Sequence, residues 1–359
     1  MNIAIIYQDT TINPMILSVL QSIFKMLENK NRIYSLITNS NQINDTSTFD
    51  VAIIVLLKGN DENLNDKISL LKKKNTTIIV VATKEMQNIL PSDSFIDISP
   101  NFISFIKNGS LIYTLNKVLN DLESGKNKEY YSPILRRTVI QRAIKAINVN
   151  TYLEIGVSNG ENFVEIEAPF VIGIDPIEPN KQVKQSLSEN RFYFQLKSDE
   201  FFKNNKNIFE KRKIDLAFID GAHNYHQALR DVQNCLNYLR PDGLIIMHDC
   251  NPISPIIETP ATVYEEACEK VKAIGINPYG YAWTGDVWKT ILNIRSTHKD
   301  LKVITLDCDF GLGIIKKATP ESCLNYSIDQ IEQLTYNELE KDRVMLLNLT
   351  DPEEFLNSL

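Results

Sequence analysis

Two regions in the middle of the chain hold residues whose types and spacing could do chemistry. In YLEIGVSNGENF, which starts at Tyr152, Gly156 and Gly160 let the backbone turn tightly and approach a ligand at the end of a short apolar run. Asp175 closes the next apolar run, VIGID, roughly twenty residues after that turn, where an acidic side chain commonly accepts both hydroxyls of a ribose. Together they point to an adenosine ligand. A nicotinamide site usually sets closely spaced glycines, G-x-G-x-x-G, against a pyrophosphate, whereas this loop offers Ser158 and Asn159, so no bulky diphosphate is implied. The second region, IDGAHNYHQALRD and LIIMHDCNP, gathers Asp220, Asp249 and three of the four histidines: His223, His226 and His248.

These residues need a scaffold, and the hydropathy pattern supplies one. Residues 1–122 alternate strand-like runs (NIAIIY, IYSLI, VAIIVLL, TTIIVVAT) with helix-like stretches, the pattern of a small parallel sheet whose topology is expected to be flavodoxin-like. Phosphate or receiver chemistry is not expected there: only Gly59 and Gly109 precede the linker, the turn QDTTINP has no glycine, and Lys58 stands where a receiver would carry its aspartate. A partner, substrate or dimerisation module is the expectation. DLESGKNKEYYSP reads as a linker over 123–133. From 134 the alternation resumes: a helix in ILRRTVIQRAIKAIN, strands at TYLEIG, VIGID, FYFQL, IDLAFID and LIIMHD, helices near Asn162, Val183, Phe201 and His226, and a hairpin of KVITLD and LGIIKK joined by CDFG. Residues 134–318 form the expected second domain, with 319–359 a helical appendage.

Composition bounds the setting. A hydrophobic content of 43% and a charged content of 23%, without a bilayer-length apolar run, fit a soluble globular protein, and the start reads as a strand rather than a leader, so a cytoplasmic protein without membrane partners is expected. The net charge of −7 gives no general attraction to nucleic acid, and the basic run Lys203–Lys213 reads as a solvated helix face. Five scattered cysteines without a C-x-x-C pair argue against a disulfide framework and a structural zinc site.

The order and spacing of Glu154, Gly156 and Gly160, followed by Asp175, resemble the first motifs of class I S-adenosylmethionine-dependent methyltransferases. The resemblance runs from about Arg136 to Lys317 and is closest at IDGAHNYHQALRD and LRPDGLIIMHDCNP, which look like methyltransferase domain 24, neighbours of metal-dependent sugar O-methyltransferases. It implies a Rossmann-like seven-stranded α/β sheet ending in an antiparallel hairpin, with S-adenosylmethionine as cofactor. It also implies that Glu154 meets the methionine ammonium, that loop N–H groups and the next helix take its carboxylate, and that Ser198 and Asp199, in KSDEFF, contact adenine. Ser158 departs from the glycine many relatives carry.

Methyl transfer to a hydroxyl needs the acceptor aligned and its proton removed. The resemblance makes the strands ending in Asp220 and Asp249 neighbours, so their carboxylates could share a divalent cation such as magnesium, with His248 as a third ligand. Asp220 thus counts with the cofactor contacts and the catalytic pair. His223, three residues on, is the candidate general base, the role a histidine has at this spacing in metal-dependent relatives. Other readings stay open: Asp220 as a helix cap, His223 as a turn residue, His226 as surface. Adjacent strand residues face opposite ways, so one of His248 and Asp249 should reach the cleft unless the chain turns, and Asp249 is chosen. In YGYAWTGDVWK, Trp283 and Asp286 are candidate contacts for a glycan or other small-molecule acceptor, and Trp288 is expected in the core. The expected activity is O-methylation of a sugar, glycan or glycosylated product by a chain that is a possible homo-oligomer. The alternatives are an NAD-dependent oxidoreductase and a non-catalytic adenosine-binding scaffold.

Overall fold

The computed structural model describes residues 2–8, 14–27, 33–37, 49–56, 62–82, 92–97, 110–126, 128, 130–131, 133–278 and 281–359. The chain divides into two compact units, one of residues 1–133 with 268–282 and one of residues 134–267 with 283–359. Lys58, Gly59, Gly109 and most of the turn after the first strand lie outside the described residues. Among the described residues no helix is long and apolar enough to cross a membrane.

The first unit is built on β1 (Asn2–Gln8), β2 (Ile33–Ile37), β3 (Val51–Leu56), β4 (Thr77–Ala82), β5 (Ser94–Asp97) and β6 (Tyr130–Tyr131), in the parallel order β2-β1-β3-β4-β5-β6. Its central runs, such as Ile78 to Ala82, are buried residue after residue, as strands covered on both faces must be. The last two strands were not expected. Tyr130–Tyr131 pairs with Phe95 and Ile96, so the expected linker supplies an edge strand. Residues 268–282 also join this unit: Asn277 donates to Ser18 and Ser22 on the helix Pro14–Leu27, which breaks the continuity expected for 134–318.

The second unit is a sheet of β7 (Thr151–Ile155), β8 (Phe170–Ile174), β9 (Arg191–Phe194), β10 (Ile214–Ile219), β11 (Leu239–Met247), β12 (Leu301–Leu306), β13 (Leu312–Lys317) and β14 (Leu349–Thr350), ordered β14-β12-β13-β11-β10-β7-β8-β9. It has eight strands rather than seven, because the C-terminal segment adds β14 beside β12. The expected appendage is therefore part of the unit. β13 runs antiparallel to both neighbours, as the hairpin required. Alternation along β7 sends Leu153 and Ile155 into one apolar layer and Tyr152 into the other, where Val139, Ile140, Ala143 and Ile144 of the helix Arg136–Ala146 cover it. The sequence order of strands reverses between β7 and β10, so the crevice at their carboxyl ends is where a ligand belongs.

One expected element is missing. After Gly160 the chain makes only a turn over residues 161–165 before Pro169 leads it into β8. Too few residues separate Gly160 from Pro169 for a helix that also returns to the sheet, so no helix N-terminus follows the glycine turn.

Candidate functional site

The glycine turn and the Asp220 turn meet where the strand order reverses. Gly156 has φ +87°, and a Cβ there would lie 1.9 Å from the carbonyl oxygen of Asp220. Only glycine permits both the conformation and the approach. Ser158, also left-handed at φ +50°, donates its N–H to Asp175 Oδ2 at 2.8 Å, while Asp175 Oδ1 accepts from Ile177 at 2.8 Å. Asp175 thus fixes the loop it borders and keeps further lone pairs for a ligand. The Asn159 carbonyl accepts from Asn180, which ties the same loop to the turn after β8. Glu154 is buried within β7 and accepts from the Tyr152 hydroxyl at 2.6 Å. Burial, only partly offset by that bond, pushes its carboxyl up to about 8.

Asp220 stands just past β10 and His248 and Asp249 just past β11. The chain turns at Asp249, φ +64°, the condition under which both residues can reach the cleft, and both line it. His248 Nδ1 lies 3.0 Å from Asp249 Oδ1 and 3.3 Å from Asp220 Oδ1. His223 Nε2 lies 3.2 Å from Asp220 Oδ1, and its Nδ1 lies 2.6 Å from the Trp283 carbonyl and 3.0 Å from Asp249 Oδ2. A carbonyl can only accept, so Nδ1 carries a proton and Nε2 is the nitrogen turned towards Asp220. Burial would lower the His223 imidazole, but Asp249 and Asp220 outweigh it and push it up to about 9. Burial likewise opposes ionisation of Asp220, yet His248 and Arg136 hold it well below the usual carboxylate range.

Asp220, His223 and Asp249 each offer a ligand atom, all within 4.8 Å of one another. Asp249 Oδ2 and the ring nitrogens of His248 are buried and make no well-aligned hydrogen bond; they lie in ion-pair contact with His223, Asp249 and Asp220. Two carboxylates suit a hard divalent cation, and the third donor in this group is His223 rather than the His248 expected from sequence. A small cleft opens here, lined by Asp220, Gly221, His223, Asp231, His248 and Asp249.

Other expected residues are committed elsewhere. Ser198 donates to the buried Asp231 at 2.5 Å, and Asp199 pairs with Arg230 and Asn234 on the exposed face of the helix Tyr225–Tyr238. Asp286 accepts from the N–H of Tyr225 at 2.7 Å and so satisfies the first turn of that helix. Trp283 is buried; its indole stacks on His223 with centroids 5.2 Å apart and its Nε1 donates to the Thr259 carbonyl. It shapes the His223 pocket. Trp288 is fully buried, with Nε1 on Glu258, as expected of a core residue. His226 is exposed beside Glu332.

Sequence reasoning missed Arg136, Asp309 and Asp231. Arg136 Nη1 donates to Asp220 Oδ2 at 2.7 Å, and Asp309 accepts from the Arg136 backbone and side chain. Burial pushes Asp231 up to about 6, against the bonds from Ser198 and Gln227. Arg136 and Asp309 have no spacing signal, because their partners lie far along the chain, whereas Asp231 has Gln227 one helical turn before it.

No curated protein matches the sequence. Solved structures similar to this chain include an O-methyltransferase from Bacillus cereus in complex with SAH, at 14% identity over 56% of this chain and 88% of that one, with a TM-score of 0.35. SAH-bound PaMTH1 of Podospora anserina shares 14% identity over 51% and 77%, with a TM-score of 0.34. MycE of the mycinamycin biosynthetic pathway, in complex with Mg, SAH and mycinamycin VI, shares 13% over 50% and 48%, with a TM-score of 0.31; the chain spans about half its length. Residues 153–250, which hold the glycine turn, Asp175, Asp220, His223, His248 and Asp249, match the model of the methyltransferase domain Methyltransf_24.

Proposed function

We propose that this protein is an S-adenosylmethionine-dependent O-methyltransferase whose acceptor is a hydroxyl of a sugar, glycan or glycosylated product. The observation that carries the reading is the meeting of the Gly156 turn with Asp220 at the strand-order reversal, in the stretch that matches the methyltransferase family. Glu154, Gly156, Ser158, Asn159, Gly160 and Asp175 would bind the cofactor from the β7 and β8 side, and Asp220 would border its reactive end. Ser198 and Asp199 keep a place near adenine only through their backbone, since their side chains are engaged.

His223 is the proton acceptor in this reading, and because Asp249 and Asp220 push its imidazole up to about 9, it acts only after giving up that proton, which a cation bound on those carboxylates would favour. Nε2 lies on Asp220 Oδ1 at the edge of the cleft, while Nδ1–H stays on the Trp283 carbonyl and holds the ring in one orientation. Asp220 stabilises the imidazolium that results. A divalent cation held by Asp220, Asp249 and His248 would polarise the acceptor hydroxyl. The first unit, whose first five strands run 2-1-3-4-5, is read as a flavodoxin-like module for a partner, for substrate or for dimerisation. The protein is read as cytoplasmic.

Calorimetric titration with S-adenosylhomocysteine and, separately, NAD tests the cofactor. Binding of the first alone is expected; binding of NAD alone would replace the reading with an oxidoreductase. Transfer of labelled methyl from S-adenosylmethionine to a panel of sugar acceptors separates an enzyme from a non-catalytic scaffold.

A further inference from the structure

We propose that Arg136 is a positioning residue for Asp220, and that the connection Cys308–Gly311 is shaped to hold Arg136 in that role. The inference rests on the reading of Asp220 and His223 as the catalytic pair.

The connection between β12 and β13 carries three successive left-handed residues: Asp309 at φ +45°, Phe310 at +60° and Gly311 at +87°. Glycine accepts that region freely; aspartate and phenylalanine do not, and such conformations persist only where the surroundings impose them. What the strained path achieves is the placement of Asp309. Its side chain is 1% exposed, and its carboxylate takes the backbone N–H of Arg136 at 2.7 Å, Nε at 2.9 Å and Nη2 at 3.4 Å. Arg136 opens the helix Arg136–Ala146, whose preceding residue, Leu135, offers no side-chain cap, so Asp309 satisfies the helix end as well as the guanidinium.

The remaining arm of the fork, Nη1, reaches Asp220 Oδ2 at 2.7 Å. This divides the Asp220 carboxylate. One oxygen is spent on Arg136, and the other, Oδ1, is presented to His223 Nε2 and His248 Nδ1. A flat guanidinium can grip two carboxylates at fixed angles, which a point charge on a flexible stem cannot. A structural pair would be complete with Asp309 alone; the third contact orients the oxygen that faces His223.

The chain has four histidines, so imidazole nitrogen spectra of histidine-labelled protein resolve each ring. In Arg136→Gln and Asp309→Asn, the His223 and His248 signals are expected to move, while those of His226 and His298, remote from the pair, stay in place. Release of S-adenosylhomocysteine from S-adenosylmethionine with sugar acceptors should fall about 100-fold in Arg136→Gln through turnover, because small misplacements of a reacting group cost that much, with S-adenosylhomocysteine affinity unchanged. If Arg136→Gln does not fold, Arg136→Lys carries the test, since it keeps the charge and loses the fork; its His223 signal should still move. An unmoved His223 signal in a folded variant would overturn the proposal. Loss of cofactor affinity in step with turnover would reduce Arg136 to a structural pair and overturn it as well. Failure of the wild type to bind S-adenosylhomocysteine would instead strike the functional reading, and the spectra would still decide whether Arg136 positions Asp220.

Discussion

Trp283 holds the His223 ring from two directions: its carbonyl oxygen accepts from Nδ1 at 2.6 Å, and its indole stacks on the imidazole with 27° between the planes. Two residues after Trp283 comes Gly285, at φ +56°, where a Cβ would lie 1.8 Å from the His223 carbonyl oxygen. His223 is therefore clamped by backbone on one side and by an aromatic face on the other. Removing the ring should leave the cofactor loop, which lies on β7 and β8, undisturbed. His223→Ala is expected to lower turnover by about 10²–10⁴-fold, the range for a lost general base, with S-adenosylhomocysteine affinity unchanged. Single-turnover kinetics beside a binding isotherm check this; a fully active variant would end the assigned role.

Gly156 and Gly285 press on the site from different elements, so their alanine variants should separate two effects. Gly156→Ala drives a methyl into the Asp220 carbonyl and strains the cofactor turn. It should cost on the order of 2–4 kcal/mol in denaturant unfolding and weaken S-adenosylhomocysteine binding. Gly285→Ala pushes on His223 instead. It should lower turnover more than cofactor affinity. Equal behaviour of the two variants would contradict the separate duties given to the two loops.

The closeness of the Asp220 and Asp249 carboxylates makes the cation testable without an acceptor. EDTA should lower transfer activity and magnesium restore it. Manganese, followed by paramagnetic resonance, should bind the wild type and lose its site in Asp249→Asn, because two carboxylates supply the hard donors. Full activity after exhaustive chelation, with no bound manganese, would remove the metal from the mechanism.

Much of the scaffold was legible because burial leaves a periodic trace. Runs such as IDLAFI and LIIM announce strands covered on both faces, and the left-handed turn after β7 demands a glycine at 156. The failures have physical causes. Tyr130–Tyr131 and Leu349–Thr350 are too short to show alternation, so from sequence one edge strand reads as linker and another as appendage. The expected helix near Asn162 would have needed more chain before Pro169. Strand alternation lets only one of His248 and Asp249 face the cleft unless the chain turns, and the single left-handed residue Asp249 supplies that turn, which periodicity cannot announce. Asp286 has the type and neighbourhood of a substrate contact, but the unpaired N–H of Tyr225 takes it first. Arg136 and Asp309 stand 173 positions apart, so no local spacing could join them.

Glu154 offers a pH signature with a defined sign. Burial raises its carboxyl from an ordinary 4.5 to about 8, so between those values the folded protein holds a proton that the unfolded chain has released. Unfolding there releases the proton, and the contribution to stability is fully present below 4.5 and lost as pH rises towards about 8. Glu154→Gln keeps an acceptor for the Tyr152 hydroxyl and removes the titration, so its melting temperature should fall less steeply than that of the wild type across this window. The same proton reports on the cofactor. If the ammonium of S-adenosylhomocysteine docks on Glu154, the ionised carboxylate becomes the favoured form, and binding near neutral pH must expel the proton. Titrations in two buffers of different ionisation enthalpy should then show proton release by the wild type and none by Glu154→Gln. Binding without proton release in the wild type would move the amine away from Glu154.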